Sequence, residues 1–154
     1  REGLQFESDI ESDTTNLNFL CKKLMDEFGD QIHLFRDPTR GGVSSTLSEI
    51  ADDTGMGILL DENDIPLDAQ VAAACEMLGL DPLYVANEGV FLAIVSESIY
   101  LDALDLIRSD PKGKNASCIG LVTEEHPKKV VMKSAIGGKR MVSPLIGEQL
   151  PRIC

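Results

Sequence analysis

The stretch that decides the fold is Ile32-His33-Leu34-Phe35-Arg36-Asp37-Pro38-Thr39-Arg40-Gly41-Gly42-Val43. Ile32 to Phe35 has strand character, and Arg36 to Gly42 breaks it with an Asp-Pro turn and two glycines. Beyond the glycines, Val43, Thr46, Leu47, Ile50 and Ala51 recur at three and four residues, which is one face of a helix. A strand therefore runs through a Gly-Gly turn into a helix. The same alternation extends in both directions along the chain.

Upstream, Leu17, Leu20, Cys21, Leu24, Met25 and Phe28 mark an amphipathic helix that Gly29 ends. Downstream, Gly55 and Gly57 bracket the start of a strand at Ile58 to Leu60. Asp68 caps a third helix through Val71, Ala74, Cys75 and Leu78, which Gly79 stops. Val90 to Val95 is a continuous apolar run of strand length, expected at the centre of a sheet. Ser96 or Ser98 starts a helix through Ile99, Ala103, Leu106 and Ile107, ended before Pro111. Cys118 to Val122 and Val130 to Ile136 read as strands, and Gly137-Gly138 as a hairpin turn into Arg140-Met141-Val142. Helices and strands interleave irregularly, so the expected class is α+β, with helices covering a mixed sheet.

The chain has 154 residues, enough for one domain, and no linker or repeat divides it. Aromatic residues are 5% and Trp is absent, so the core has to be aliphatic. No apolar run approaches the length of a membrane span. Net charge is -12, which repels a phosphate backbone and argues against nucleic acid as a partner. All of that charge sits in residues 1 to 77, which hold 17 acidic and 5 basic side chains. Glu49 to Asp68 contains seven acidic residues and no basic one; Lys128 to Arg140 contains five basic residues and no acidic one. The basic run reads as a solvated, Lys-studded strand edge.

Cys21, Cys75, Cys118 and Cys154 are far apart and contain no CxxC, so neither a zinc site nor a disulfide framework is indicated. That usage fits a reducing, cytoplasmic compartment. The first three lie among apolar residues and are expected to behave as small hydrophobes. Arg1 is not a Met, and Leu4 to Glu7 reads as the end of an extended element, so the chain is expected to be the C-terminal part of a longer protein.

Three places could carry chemistry. At Asp37 to Gly42 a helix start, its dipole and the Thr39 and Arg40 donors could hold an anion, with Gly41 and Gly42 admitting it to the backbone. An unliganded Asp-Pro turn is the alternative. At Asn87-Glu88-Gly89, Glu88 stands before an apolar strand and could be desolvated into a base; a solvated turn Glu is the alternative. At the end, Leu150-Pro151-Arg152-Ile153-Cys154 could be an extended arm, reaching roughly 23 Å beyond Gly147. A thiol on such an arm can visit two sites, whereas a frayed end would give it no role.

Taken together, RDPTRGG (Arg36 to Gly42), ACEMLGLDPLYVANEG (Ala74 to Gly89) and GEQLPRIC (Gly147 to Cys154) resemble the C-terminal half of the HypE family. These are hydrogenase maturation proteins of the AIR synthase and selenophosphate synthetase superfamily. The resemblance implies a three-layer α/β/α domain over residues 1–146, partly ferredoxin-like, with residues 147–154 as a tail. It implies an ATP-dependent carbamoyl dehydratase: Cys154 carries a carbamoyl group that becomes thiocyanate, with Glu88 as the base. Asp37, Thr39, Arg40, Gly41 and Gly42 would lie near the transferred phosphate. ATP and Mg²⁺ would bind mainly through an N-terminal domain absent from this chain, which also makes a homodimer. Implied partners are a carbamoyl transferase that loads Cys154 and an iron-centre assembly complex that accepts cyanide. No metal ligand is implied in this half. The alternatives are another ATP-dependent enzyme of the superfamily and a non-catalytic docking module.

Overall fold

A computed structural model describes residues 14–144. The Leu4 to Glu7 element, the 147–154 tail and Cys154 lie outside the described residues. Helix α1 (Asn18–Phe28) ends where Gly29, at φ +50°, donates its N–H to the Met25 carbonyl. Strand β1 (Ile32–Arg36) follows, then α2 (Gly42–Thr54), β2 (Gly57–Asp61) and α3 (Ala69–Leu78). Asp68 caps α3 by accepting from the Gln70 and Val71 amides. Strand β3 (Leu92–Val95), α4 (Tyr100–Arg108), β4 (Gly120–Thr123), β5 (Val130–Lys133) and β6 (Lys139–Val142) complete the order.

The strands form two sheets among the described residues. One has four strands in the order β4-β2-β5-β6, with β2 and β5 parallel and the other neighbours antiparallel. The other is an antiparallel ribbon of β1 and β3. The class is therefore α+β with a mixed sheet. The apolar run ending at Val95 lies in the ribbon rather than at the centre of the large sheet, which corrects the sequence expectation. Its composition has a different cause. Leu92 and Ile94 pack on a core built by Leu47, Ile50, Ile58, Leu60, Val130 and Met132. Phe91 and Val95 pack on a second core built by Leu24, Ile32, Ile99 and Ala103. Alternate residues of one strand thus serve two cores, and both faces have to be apolar.

Other boundaries move for local reasons. The strand expected from Cys118 starts at Gly120, and Cys118 is exposed rather than buried in the core. The strand from Val130 stops at Lys133, because Ser134 to Gly138 closes a turn with Gly137 at φ +91°. The helix after β3 opens as a 3₁₀ turn at Glu97–Ile99 before becoming α-helical.

Part of the segregated charge is paired inside the chain. Parallel pairing of β2 with β5 puts Asp61 opposite Lys133, and their side chains meet at 2.8 Å. This holds the Asp61 carboxyl below its ordinary range and the Lys133 ammonium above its own, each mainly through that hydrogen bond. Lys128 meets Asp52 at 3.1 Å and Arg140 meets Asp81 at 2.8 Å. The Lys-studded edge is β6, carrying Lys139 and Arg140; β5 is interior, and its Val130, Val131 and Met132 are buried.

Gly42 is a position where both space and backbone conformation exclude a side chain. It sits at φ +62°, and a Cβ there would lie 2.5 Å from the Leu83 carbonyl oxygen and 2.6 Å from that of Val85. Both contacts are backbone and cannot swing aside. Gly42→Ala is expected to cost about 3 kcal/mol or more, from overlap and left-handed strain together. Urea unfolding of the two proteins measures it; an unchanged midpoint would show that the 83–85 segment yields freely.

Candidate functional site

The RDPTRGG segment links β1 to α2 and is pinned from inside. The Pro38 side chain is fully buried, and its carbonyl accepts from the Asn87 amide at 3.0 Å. Gly41, at φ +75°, caps α2, and the Gly42 amide donates to the Thr39 carbonyl at 3.1 Å. Two loops far apart in sequence, 36–42 and 83–88, are therefore locked together by one hydrogen bond and the Gly42 contact. This is preorganisation by packing, and it sets the spacing of whatever the loops present.

They present the walls of an open cleft of about 260 Å³. Arg36 and Asp37 come from the first loop, Glu88 from the second and Val90 from just beyond it. Cys21 and Asn18 of α1 close another side, and Phe35 and Phe91 lie edge to face with centroids 5.7 Å apart. The lining thus joins an aromatic pair to two carboxylates, Asp37 and Glu88, and the Arg36 guanidinium. Arg36 is held by Glu49 of α2 at 2.9 Å.

The structure brings Asp37 and Glu88 to one cleft. It does not bring Thr39, Arg40, Gly41 and Gly42 to its lining. Gly41 and Gly42 are buried and Arg40 is exposed. At Gly42 the space a side chain would fill is taken by protein carbonyls, so that glycine serves the packing of this chain first. The amides of Val43 and Ser44, the second and third of the helix, are those that α-helical geometry leaves without an intrahelical partner. Glu88 is exposed, so burial within this chain does not supply the desolvation expected of it. Cys154 is outside the described residues.

Sequence reasoning missed Cys21, Arg36 and the two phenylalanines as cleft residues. Cys21 repeats with the apolar helix face and gave no sign of lying at its margin. Burial pushes the Cys21 thiol above its ordinary range, and burial followed by the nearby Asp81 charge does the same at Cys75. Neither thiol is poised as a thiolate. Among the described residues, no three His, Cys, Asp or Glu side chains gather to hold a metal ion. Nor is any described helix long and apolar enough to cross a membrane.

The pattern of family residues matches over residues 2–133 to AIR synthase related protein, C-terminal domain. The chain belongs to this family. Carbamoyl dehydratase HypE of Azotobacter vinelandii is 47% identical over all 154 residues, and that of Escherichia coli (strain K12) is 38% identical. The chain covers 45% of each of these relatives, so it spans about half their length. A crystal structure of hydrogenase maturation protein HypE in complex with ATP superposes with a TM-score of 0.90 at 43% identity, covering 99% of this chain and 47% of that one. A crystal structure of a HypE-HypF complex superposes with a TM-score of 0.87 at 40% identity, covering 94% of this chain and 46% of that one.

Proposed function

We propose that this chain is the carrier-bearing half of an ATP-dependent carbamoyl dehydratase. The observation that carries the reading is identity: 47% over the whole chain with a carbamoyl dehydratase HypE. In this reading residues 147–154 are an arm, and the Cys154 thiol accepts a carbamoyl group from a transferase. ATP then phosphorylates the carbonyl oxygen. The nitrogen gives up its two protons, phosphate departs with the C–O bond, and a thiocyanate remains on sulfur. The S–C bond then breaks as an acceptor that assembles an iron centre takes the cyano group as cyanide and supplies two electrons, which leaves the Cys154 thiolate.

Glu88 takes a nitrogen proton, and the facing half of the protein supplies the desolvation that this chain alone does not. Asp37 shares the cleft with Glu88, while Thr39, Arg40, Gly41 and Gly42 fix the α2 N-terminus, whose amide dipoles favour the phosphate side. Among the described residues no three carboxylates gather to hold a metal ion, and Mg²⁺ would be bound with ATP mainly by the other half. The missing half would bind most of the ATP and form the dimer, and a cytoplasmic, reducing setting would keep the carrier thiol free. Phosphate release tests the reading. It is expected from the full-length protein only when Cys154 carries the carbamoyl group. Equal release with and without the load would favour another ATP-using enzyme of the superfamily, and none in either case a docking module.

A further inference from the structure

Phe35 and Phe91 reach the cleft by strand geometry. Side chains alternate along β1 and into β3, so Leu34 and Leu92 pack on the core under α2. Phe35 and Phe91 turn to the opposite face and pack on the core shared with α1 and α4. Ala93 is the residue paired with Phe35, and its small side chain leaves space that the Phe91 ring takes on the diagonal. The rings meet edge to face, centroids 5.7 Å apart and planes at 77°, and both are half-buried. With Leu17 and Val90 they make the apolar side of the lining that also holds Asp37 and Glu88. A chain with five Phe and no Trp thus places two of its rings here, where an aliphatic side chain would have filled the core as well.

The dehydration proposed above has a use for such a surface. Once its oxygen is phosphorylated, the carbamoyl carbon has two ways to expel phosphate. Loss of the remaining nitrogen proton as the C–O bond breaks gives the thiocyanate. Attack of water on the same carbon breaks that bond too, but the water oxygen replaces the departing one. One water proton then goes to nitrogen and the other to phosphate, so the thiocarboxamide is restored and an ATP is consumed without product. A carboxylate beside the carbon activates a water as well as it takes a proton from nitrogen, so Asp37 and Glu88 alone do not choose between the two. Exclusion of water from the carbon does. An apolar wall gives a water no hydrogen-bond partner.

We propose that Phe35 and Phe91 decide the outcome of the reaction, as a dry wall that keeps water from the phosphorylated carbon while Glu88 takes the nitrogen proton. This rests on the dehydratase reading. The edge-to-face contact fixes the two rings against each other, one from each of the segments that bring Asp37 and Glu88 to the cleft. A shorter aliphatic side chain at either position keeps the apolar packing but opens a gap beside the carboxylates.

The test compares the parent with Phe91→Leu and Phe35→Leu in the full-length protein. Carbamoylated protein is given Mg-ATP in water enriched in oxygen-18 until the loaded thiol is exhausted, and phosphate, thiocyanate and the mass of the remaining carbamoyl group are followed. Phosphate released per thiocyanate formed is expected to be about one in the parent and about two to five in either variant. The excess should be matched by heavy oxygen in the carbamoyl group, taken up only when ATP is present. The ratio counts only molecules that react, so a variant that folds less well changes its rate and not its ratio. A ratio that stays at the parent value in both variants would overturn the proposal. Excess phosphate without label in the carbamoyl group would overturn it too, because ATP would then be hydrolysed at phosphorus. Variants that give neither thiocyanate nor label would show that the rings hold the site together rather than dry it, which also overturns it. Failure of the dehydratase reading is distinguishable, because the parent protein would then form no thiocyanate.

Discussion

Cys154→Ala is expected to abolish thiocyanate formation in the full-length protein, while Ala at Cys21, Cys75 or Cys118 leaves it standing. The three described thiols differ in what surrounds them. Cys75 is buried and its thiol is pushed up by burial, so it can neither reach a partner protein nor ionise readily. Its replacement should cost about 1 kcal/mol of stability through lost packing. Cys21 is half-buried at the cleft margin with its thiol also raised, and Ala there should cost a similar amount. Cys118 is exposed, its thiol donating to the Gly120 carbonyl at 3.5 Å, and Ala there should stay within about 0.5 kcal/mol. In the carrier reading, Cys154 is the thiol that travels between loading and discharge. Assays of the four variants in hydrogenase maturation, paired with thermal unfolding, separate chemistry from stability. Activity retained by Cys154→Ala would end the carrier reading.

Glu88→Gln is expected to slow conversion of the loaded thiol by roughly 10²- to 10⁴-fold, the usual contribution of a positioned base. Glutamine keeps the shape and the hydrogen-bonding reach while losing the ability to hold a proton. Carbamoylation of Cys154 precedes that step and should proceed normally, so the loaded intermediate should accumulate. Glu88 lies in the same cleft as Asp37 and Arg36, so the substitution sits within the walls the packing has set. A solvated turn Glu predicts the opposite, with normal turnover and a stability change within about 0.5 kcal/mol. Single-turnover quench experiments on the variant distinguish the two by whether carbamoylated Cys154 persists.

What could be read from sequence was the local grammar. Gly29, Gly79 and the Asp68 cap ended or began helices where the pattern placed them, because those signals act within a few residues. Sheet membership could not be read that way. VFLAIV is as apolar as a central parallel strand, yet it is so because two cores flank a two-stranded ribbon, a fact that depends on residues from Leu24 to Met132. The acidic and basic runs were visible, but not that parallel pairing of β2 and β5 would set Asp61 against Lys133. At the site, Asp37 and Glu88 line one cleft, a juxtaposition of distant segments that no local signal carries. The role of Gly42 could not be inferred, since a glycine that admits a ligand and one that admits a neighbouring carbonyl are spelled alike.

The account stands or falls on the fate of Cys154. The full-length protein is incubated with the carbamoyl transferase and carbamoyl phosphate, then with ATP, and the mass of its C-terminal peptide is followed through one turnover. The expected record is a carbamoyl adduct on Cys154 that forms before the dehydration and, when ATP is present, loses the mass of one water to leave a thiocyanate. A C-terminal peptide that stays unmodified throughout, while ATP is still consumed, would contradict it.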